Sequence, residues 1–410
     1  MNFFTSKWAI AFFLLPYILM DFFFVNNMWS VYLILRSIAP LIGFSFLFIY
    51  GKINKRNFLY LSMLSCYVVA IVVSGLLNHS LSGGQILNCL MLIGLNLYVI
   101  YCMERFEQLI SGLCILFTII ISLTIALMLF NHSAVYTYYD GEEILTGIFG
   151  NKNTSQIFYL PAVGFFLILA NYRTKQTKFK PLIAVALLLT FLILSQSGTA
   201  IVASVVMIFL ICIYKWIKIP PVVMLLTYIA IFFGIVILDL QNTGWASSII
   251  ESLGKDPTLT NRTYIWSFTL NHIKESWLWG FGIGNNIIPT YIHIPDAIYT
   301  SPLTLNGILE ILFTTGAFGL LFFSSMLILS FIRLQRTRKN LVSIIITYCL
   351  FSFFIISISE SVFYIDRPFF WILMLMAINI ERIVFSNKPN DISQHNTKRI
   401  SISYQKNKLQ

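Results

Sequence analysis

Only 10% of the 410 residues are charged, so each charge beside a long apolar run is a candidate for chemistry. Arg262 stands in the first turn of a helical pattern over Thr260–Trp279, in which Trp266, Leu270, Ile273 and Trp277 share one face. Thr260 suits the N-cap, and Gly280, Gly282 and Gly284 end the pattern. A helix N-terminus presents unbonded N–H groups and a positive dipole end, both favourable to phosphate. A guanidinium adds a planar fork that matches phosphate oxygens. The alternative for Arg262 is a surface pair with Asp256. Lys152 and Asn153, in GIFGNKNTS, offer a similar but less developed phosphate contact. Arg36 lies inside an apolar run. It either pairs with Asp21 or snorkels, or it meets an anionic lipid head group from within a bundle. Glu360 and Arg367, in SESVFYIDRPFFW, either contact substrate or pair with each other or with Asp366. For proton transfer, His293 with Asp296, in YIHIPDAIY, is the strongest general-base candidate. No His, Cys, Asp or Glu group has metal-ligand spacing, so neither a metal nor a cofactor is expected.

The elements that must hold these residues are apolar helices. Hydrophobic residues make up 58% of the chain and come in runs of about 20, the length a helix needs to cross the hydrocarbon layer. An open sheet would leave its edge groups unpaired in lipid. The expected fold is all-α and polytopic, with twelve spans: 8–26, 30–50, 58–77, 86–103, 109–130, 156–172, 181–195, 197–214, 221–239, 305–332, 341–358 and 369–386. Two connections, 131–155 and 240–304, exceed the short loops usual in a bundle, and loops of that length are usually functional. The membrane domain spans 1–386, and 387–410 forms a polar, basic tail. All six cysteines fall in or at the ends of spans, which points to packing rather than to a disulfide framework.

Orientation follows from charge. Counted loop by loop from an inside N-terminus, 21 of the 27 Lys and Arg fall on one side, five on the other, and Arg36 within a span. This asymmetry predicts cytoplasmic termini and places both long loops outside. The net charge of +11 is therefore a topology signal. No single basic patch is long enough to follow a phosphate backbone, which argues against nucleic acid as a partner.

Five segments in order, GIFGNKNTSQIFYLP (147–161), LTFLILSQSGTAIVA (189–203), NRTYIWSFTLNHIKESWLWGFGIGNN (261–286), LTLNGILEILFTTGAFGLL (303–321) and SESVFYIDRPFFWILML (359–375), resemble the Wzy-type O-antigen polymerase and O-antigen ligase superfamily. The resemblance implies an inner-membrane glycosyltransferase whose large periplasmic loop and arginines hold undecaprenyl-diphosphate-linked glycans. It also implies work alongside a flippase and a chain-length regulator, among membrane lipids. Taking the resemblance together with the residue readings above, Arg262, His293 and Asp296 are the expected catalytic residues, and Lys152, Asn153, Arg36, Glu360 and Arg367 are expected to contact substrate. Two departures matter. Ser197-Gly198 stands where many members have Ser/Thr-Arg, and Leu305-Asn306 stands where the ligases have His-Asn. Losing that histidine favours a polymerase of lipid-linked repeat units over a ligase. A transporter such as a lipid-oligosaccharide flippase is the alternative from another class. Transporters typically carry repeat symmetry and mid-membrane charges, and this sequence shows neither.

Overall fold

The computed structural model describes residues 4–18, 29–50, 53–139, 141–174, 176–244, 247–248, 261–283, 291–294, 297–300 and 304–386. The chain is mostly helical. In order, the helices are α1 (Lys7–Leu14), α2 (Trp29–Tyr50), α3 (Lys55–Leu77), α4 (Gly83–Cys102) and α5 (Phe106–Phe130). They continue with α6 (Lys152–Tyr172), α7 (Phe179–Leu194), α8 (Gly198–Ile213), α9 (Pro221–Phe232) and α10 (Arg262–Ile273). The last four are α11 (Gly307–Arg336), α12 (Leu341–Ser357), α13 (Pro368–Ile378) and α14 (Ile380–Ser386). The described part of each predicted span overlaps a helix, the last one α13 and α14 together; residues 19–26 of the first span lie outside the described residues.

Among the described residues, four helical stretches are long and apolar enough to cross a membrane: Lys55–Leu77, Gly83–Phe130, Lys152–Tyr172 and Gly307–Arg336. Gly83–Phe130 comprises α4 and α5, separated at Arg105 (φ −124°, ψ 62°). The other apolar helices run to 10–17 residues. This is the architecture of a helical membrane protein.

Local sequence explains the helix starts. Ser82 and Gln85 form a reciprocal capping box at α4, and Asn54, Asn151, Asn306 and Asn340 cap α3, α6, α11 and α12 with their side chains. The core centres on α13. All eleven of its residues are buried, and it packs against α11, α12 and α4. Its apolar surface therefore faces protein on every side, which hydropathy alone cannot distinguish from facing lipid.

Two small antiparallel hairpins modify the all-α expectation. Strand β1 (Tyr136–Tyr139) pairs with β2 (Glu142–Leu145) inside the shorter of the two long connections, and β3 (Tyr291–Ile294) pairs with β4 (Ala297–Thr300) inside the longer. The runs are only four residues long, and YTYY and AIYT carry the β-branched and aromatic residues that favour strands. The basic tail, 387–410, lies outside the described residues.

The expected orientation has a direct test in a Cys-less background. Asp140→Cys, Lys255→Cys and Thr290→Cys should react with an impermeant maleimide from outside the cell, while Gln176→Cys and Arg336→Cys should not. Outside labelling at position 176 would overturn the twelve-span topology.

Candidate functional site

Arg262 is the first residue of α10, preceded by Asn261 in the left-handed region (φ 66°) with no side-chain cap. Thr260, the expected cap, lies outside the described residues. The helix is shorter than its pattern suggested, ending at Ile273 before a 3-10 turn over Lys274–Ser276. Trp266 is 1% exposed and packs with Phe232, Val236, Ile273, Leu309 and Phe313. The apolar face of α10 is thus covered by α9 and α11, and of its predicted members Trp277 alone is well exposed, at 61%. Docking on α11 fixes the start of α10, and so the position of Arg262.

Arg262 Nη2 donates to Glu360 Oε1 at 2.7 Å, with both side chains largely buried. Asp256, the partner considered from sequence, lies outside the described residues. Of the pairings considered from sequence, Glu360 with Arg367 is corrected, since Glu360 binds Arg262, whereas Arg367 does face Asp366, its Nε 3.3 Å from Asp366 Oδ1. That contact lacks hydrogen-bond alignment, since both atoms are buried without a hydrogen-bond partner. Burial pushes the Glu360 carboxyl up to about 7, even though the Arg262 and Arg367 charges pull it down.

The loop carrying Glu360 joins α12 to α13, and the start of α11 holds it in place. Asn306 caps α11 by accepting from Ile308 N (3.1 Å) and Leu309 N (3.0 Å), and its Nδ2 donates to Ile358 O at 2.9 Å. Glu310 Oε2 accepts from Ser361 Oγ (3.1 Å) and from both Thr304 N and Thr304 Oγ1 (2.9 Å each). Glu360 is therefore bracketed by two anchored neighbours. Asn306, Glu310 and Ser361 were not singled out from sequence, although Asn before an apolar helix is a readable cap. Leu305, at the position of the ligase histidine, has φ 51°. A left-handed branched residue costs of order 1–3 kcal/mol and marks a backbone held by its surroundings.

Lys152 and Asn153 open α6. Asn153 Oδ1 accepts from Ser197 Oγ (3.2 Å), and Gln156 Oε1 accepts from Thr199 Oγ1 (3.2 Å). The Ser197-Gly198 departure therefore sits directly beside Asn153. The side chain of Arg36 is turned inward, 5% exposed. Its Nη2 donates to Gly84 O (3.0 Å) and to Asn88 Oδ1, and its guanidinium lies 5.7 Å from the Tyr32 ring centre. Asp21 lies outside the described residues. Tyr32 and Asn88 line a small cavity with Tyr17, Asp366 and Pro368, so the partners of Arg36 share a space with the Asp366–Arg367 pair. His293 is in β3, opposite Ile298, and β3 lies against α10. Asp296 lies outside the described residues.

A helical membrane architecture with a semi-buried guanidinium–carboxylate pair, assembled from three distant segments, defines an integral-membrane protein with a polar site at one end of its bundle. Residues 183–324 match the family model Wzy_C, O-antigen ligase, which is consistent with the Wzy and O-antigen ligase superfamily and with an enzyme of surface-polysaccharide synthesis. The match contains Arg262, Leu305, Asn306 and Glu310, whereas Glu360 and Arg367 lie beyond it. No curated protein matches the chain.

Proposed function

We propose that this protein is a polymerase of undecaprenyl-diphosphate-linked oligosaccharide repeat units, acting on the periplasmic face of the inner membrane. The observation that carries the reading is the Arg262–Glu360 pair. It sets a cation suited to diphosphate against a carboxyl poised near neutrality, within a family linked to surface polysaccharide.

In the proposed reaction, a hydroxyl oxygen of the incoming lipid-linked unit forms a bond to the anomeric carbon of the growing glycan. The bond from that carbon to the diphosphate breaks, and its electron pair leaves with the undecaprenyl diphosphate. The hydroxyl proton passes to Glu360. Sequence reasoning gave this role to His293 or Asp296, but Glu360 is the carboxyl that faces Arg262, and its raised titration suits proton transfer near pH 7. Protonated Glu360 no longer holds Arg262 by charge, so the guanidinium becomes available to the departing diphosphate as negative charge develops there. Arg367 adds a second cation. Lys152, Asn153 and Arg36 remain candidates for the second lipid-linked substrate. A flippase would supply the units, and a chain-length regulator would set when extension stops.

The ligase is the competing reading, because the matching model carries that description. Gene deletion separates the two. Loss of a polymerase leaves single repeat units still joined to lipid A core, since ligation is a separate activity. Long polymer stranded on the undecaprenyl carrier would instead establish a ligase and refute the polymerase.

A further inference from the structure

The end of the bundle opposite Arg262 carries a second polar assembly. Helix α11, broken at Gly316, runs from its Asn306 cap beside the Glu360 loop to Arg336 at the far end. There, Glu381 of α14 gathers three guanidiniums: Arg56 at 2.8 Å, Arg333 at 3.2 Å and Arg336 at 3.4 Å. One carboxylate cannot neutralise three cations. Beside it, Arg382 reaches Glu104 at 3.4 Å, and Lys55 is exposed. These seven groups comprise five cations and two acids.

Four of these charged groups, Lys55, Arg56, Glu381 and Arg382, line an open groove of about 640 Å³ together with Asn54, Asn379 and Phe385. The groove is amphipathic. Its polar side carries the cations, whereas Phe385, on its apolar side, is 58% exposed. An exposed aromatic ring beside a cationic rim fits a molecule with an anionic head and an apolar body.

We propose that this groove binds the phosphate head group of an anionic phospholipid of the surrounding leaflet, with Lys55 and Arg382 as its direct contacts and the Glu381 cluster as a fixed positive base. A free phosphate would use the cations but not Phe385, so the lipid is the occupant that uses the whole groove. The site is independent of the chemistry at the Arg262 end.

The test uses the full-length protein, delipidated and returned to nanodiscs of phosphatidylcholine with or without phosphatidylglycerol. Native mass spectrometry should show phosphatidylglycerol retained in preference to phosphatidylcholine, and the thermal midpoint should rise when phosphatidylglycerol is present. In the double variant Lys55→Gln, Arg382→Gln, retention should fall at least about tenfold and the midpoint shift should disappear. Polymer output, normalised to inserted protein, should be unchanged. Inorganic phosphate at matched concentration should give no shift. Equal retention of both lipids, an unaffected double variant, or an equal shift from inorganic phosphate would each overturn the lipid site.

Discussion

Arg262→Ala should lower polymer output by roughly 100- to 1,000-fold, the scale of losing one preorganised electrostatic contact to a developing charge. Arg262→Lys should recover little, because an ammonium keeps the charge but loses the planar fork that grips two phosphate oxygens at once. An exposed pair would contribute at most about 1 kcal/mol, and its loss would leave the polysaccharide ladder nearly normal. Breaking a buried pair raises a separate concern, since an orphaned charge destabilises the fold. Here the carboxyl can take up a proton. Glu360 already titrates up to about 7 with Arg262 present, and without it the carboxyl moves further toward its neutral form. The protein should therefore still insert. The readout is the ladder normalised to membrane-inserted protein, and a near-normal ladder from Arg262→Ala removes Arg262 from the site.

The same pair gives the pH dependence its sign. A base must be deprotonated to act, so activity should rise as pH increases through about 7, where Glu360 loses its proton. Glu360→Gln should abolish this rise along with most of the activity, because the amide keeps the shape but cannot accept the proton. A wild-type profile that is flat across neutrality, or a Glu360→Gln variant with the wild-type profile, would exclude Glu360 as the base.

The helices were legible because their signals are local. Runs of apolar residues and Asn or Ser caps depend on neighbours within a few positions, and the described parts of the predicted spans accordingly overlap helices. The partner of Arg262 was not legible. Glu360 lies 98 positions away, and within its own segment Asp366 and Arg367 offer equally good charges. The choice is made by Asn306 and Glu310, which fasten Ile358 and Ser361 to α11, a tertiary arrangement with no local signature. The fate of Trp266 was hidden for another reason. Periodicity identifies an apolar face but not what covers it, and lipid and protein interior are equally apolar. The hairpins fell below the length at which alternation can be recognised.

Gly316→Ala should destabilise the fold and displace the segment after α10, through a backbone arrangement that is also nonlocal. Within α11, Gly316 adopts φ 64° and ψ −166°, a region open essentially to glycine alone and worth of order 1–3 kcal/mol of strain for other residues. The break frees backbone groups on either side, and the segment after α10 takes them up. Ala317 N donates to Trp277 O (2.8 Å) and Phe318 N to Leu278 O (3.2 Å), while Phe281 N donates to Phe313 O (2.7 Å) and Gly282 N to Thr314 O (3.0 Å). A Cβ at position 316 would stand 2.3 Å from Leu278 C and O and 2.5 Å from Trp279 N. These are backbone atoms with no rotamer to relieve the clash. With alanine, α11 can close its own i to i−4 bonds and run straight, but Trp277–Gly282 is then expelled and its polar groups lose their partners at about 1–3 kcal/mol each. Because that segment follows α10 directly, Arg262 loses its position with it. The expected result is loss of the ladder and a lower thermal midpoint in detergent. Gly280→Ala should behave alike, since its Cβ would lie 2.6 Å from Phe313 O and from Gly316 N. Gly83→Ala, where a Cβ meets nothing within 4 Å, is the control and should leave both measurements unchanged. A Gly316→Ala protein with a wild-type midpoint and ladder would show that the break in α11 is not what positions Arg262.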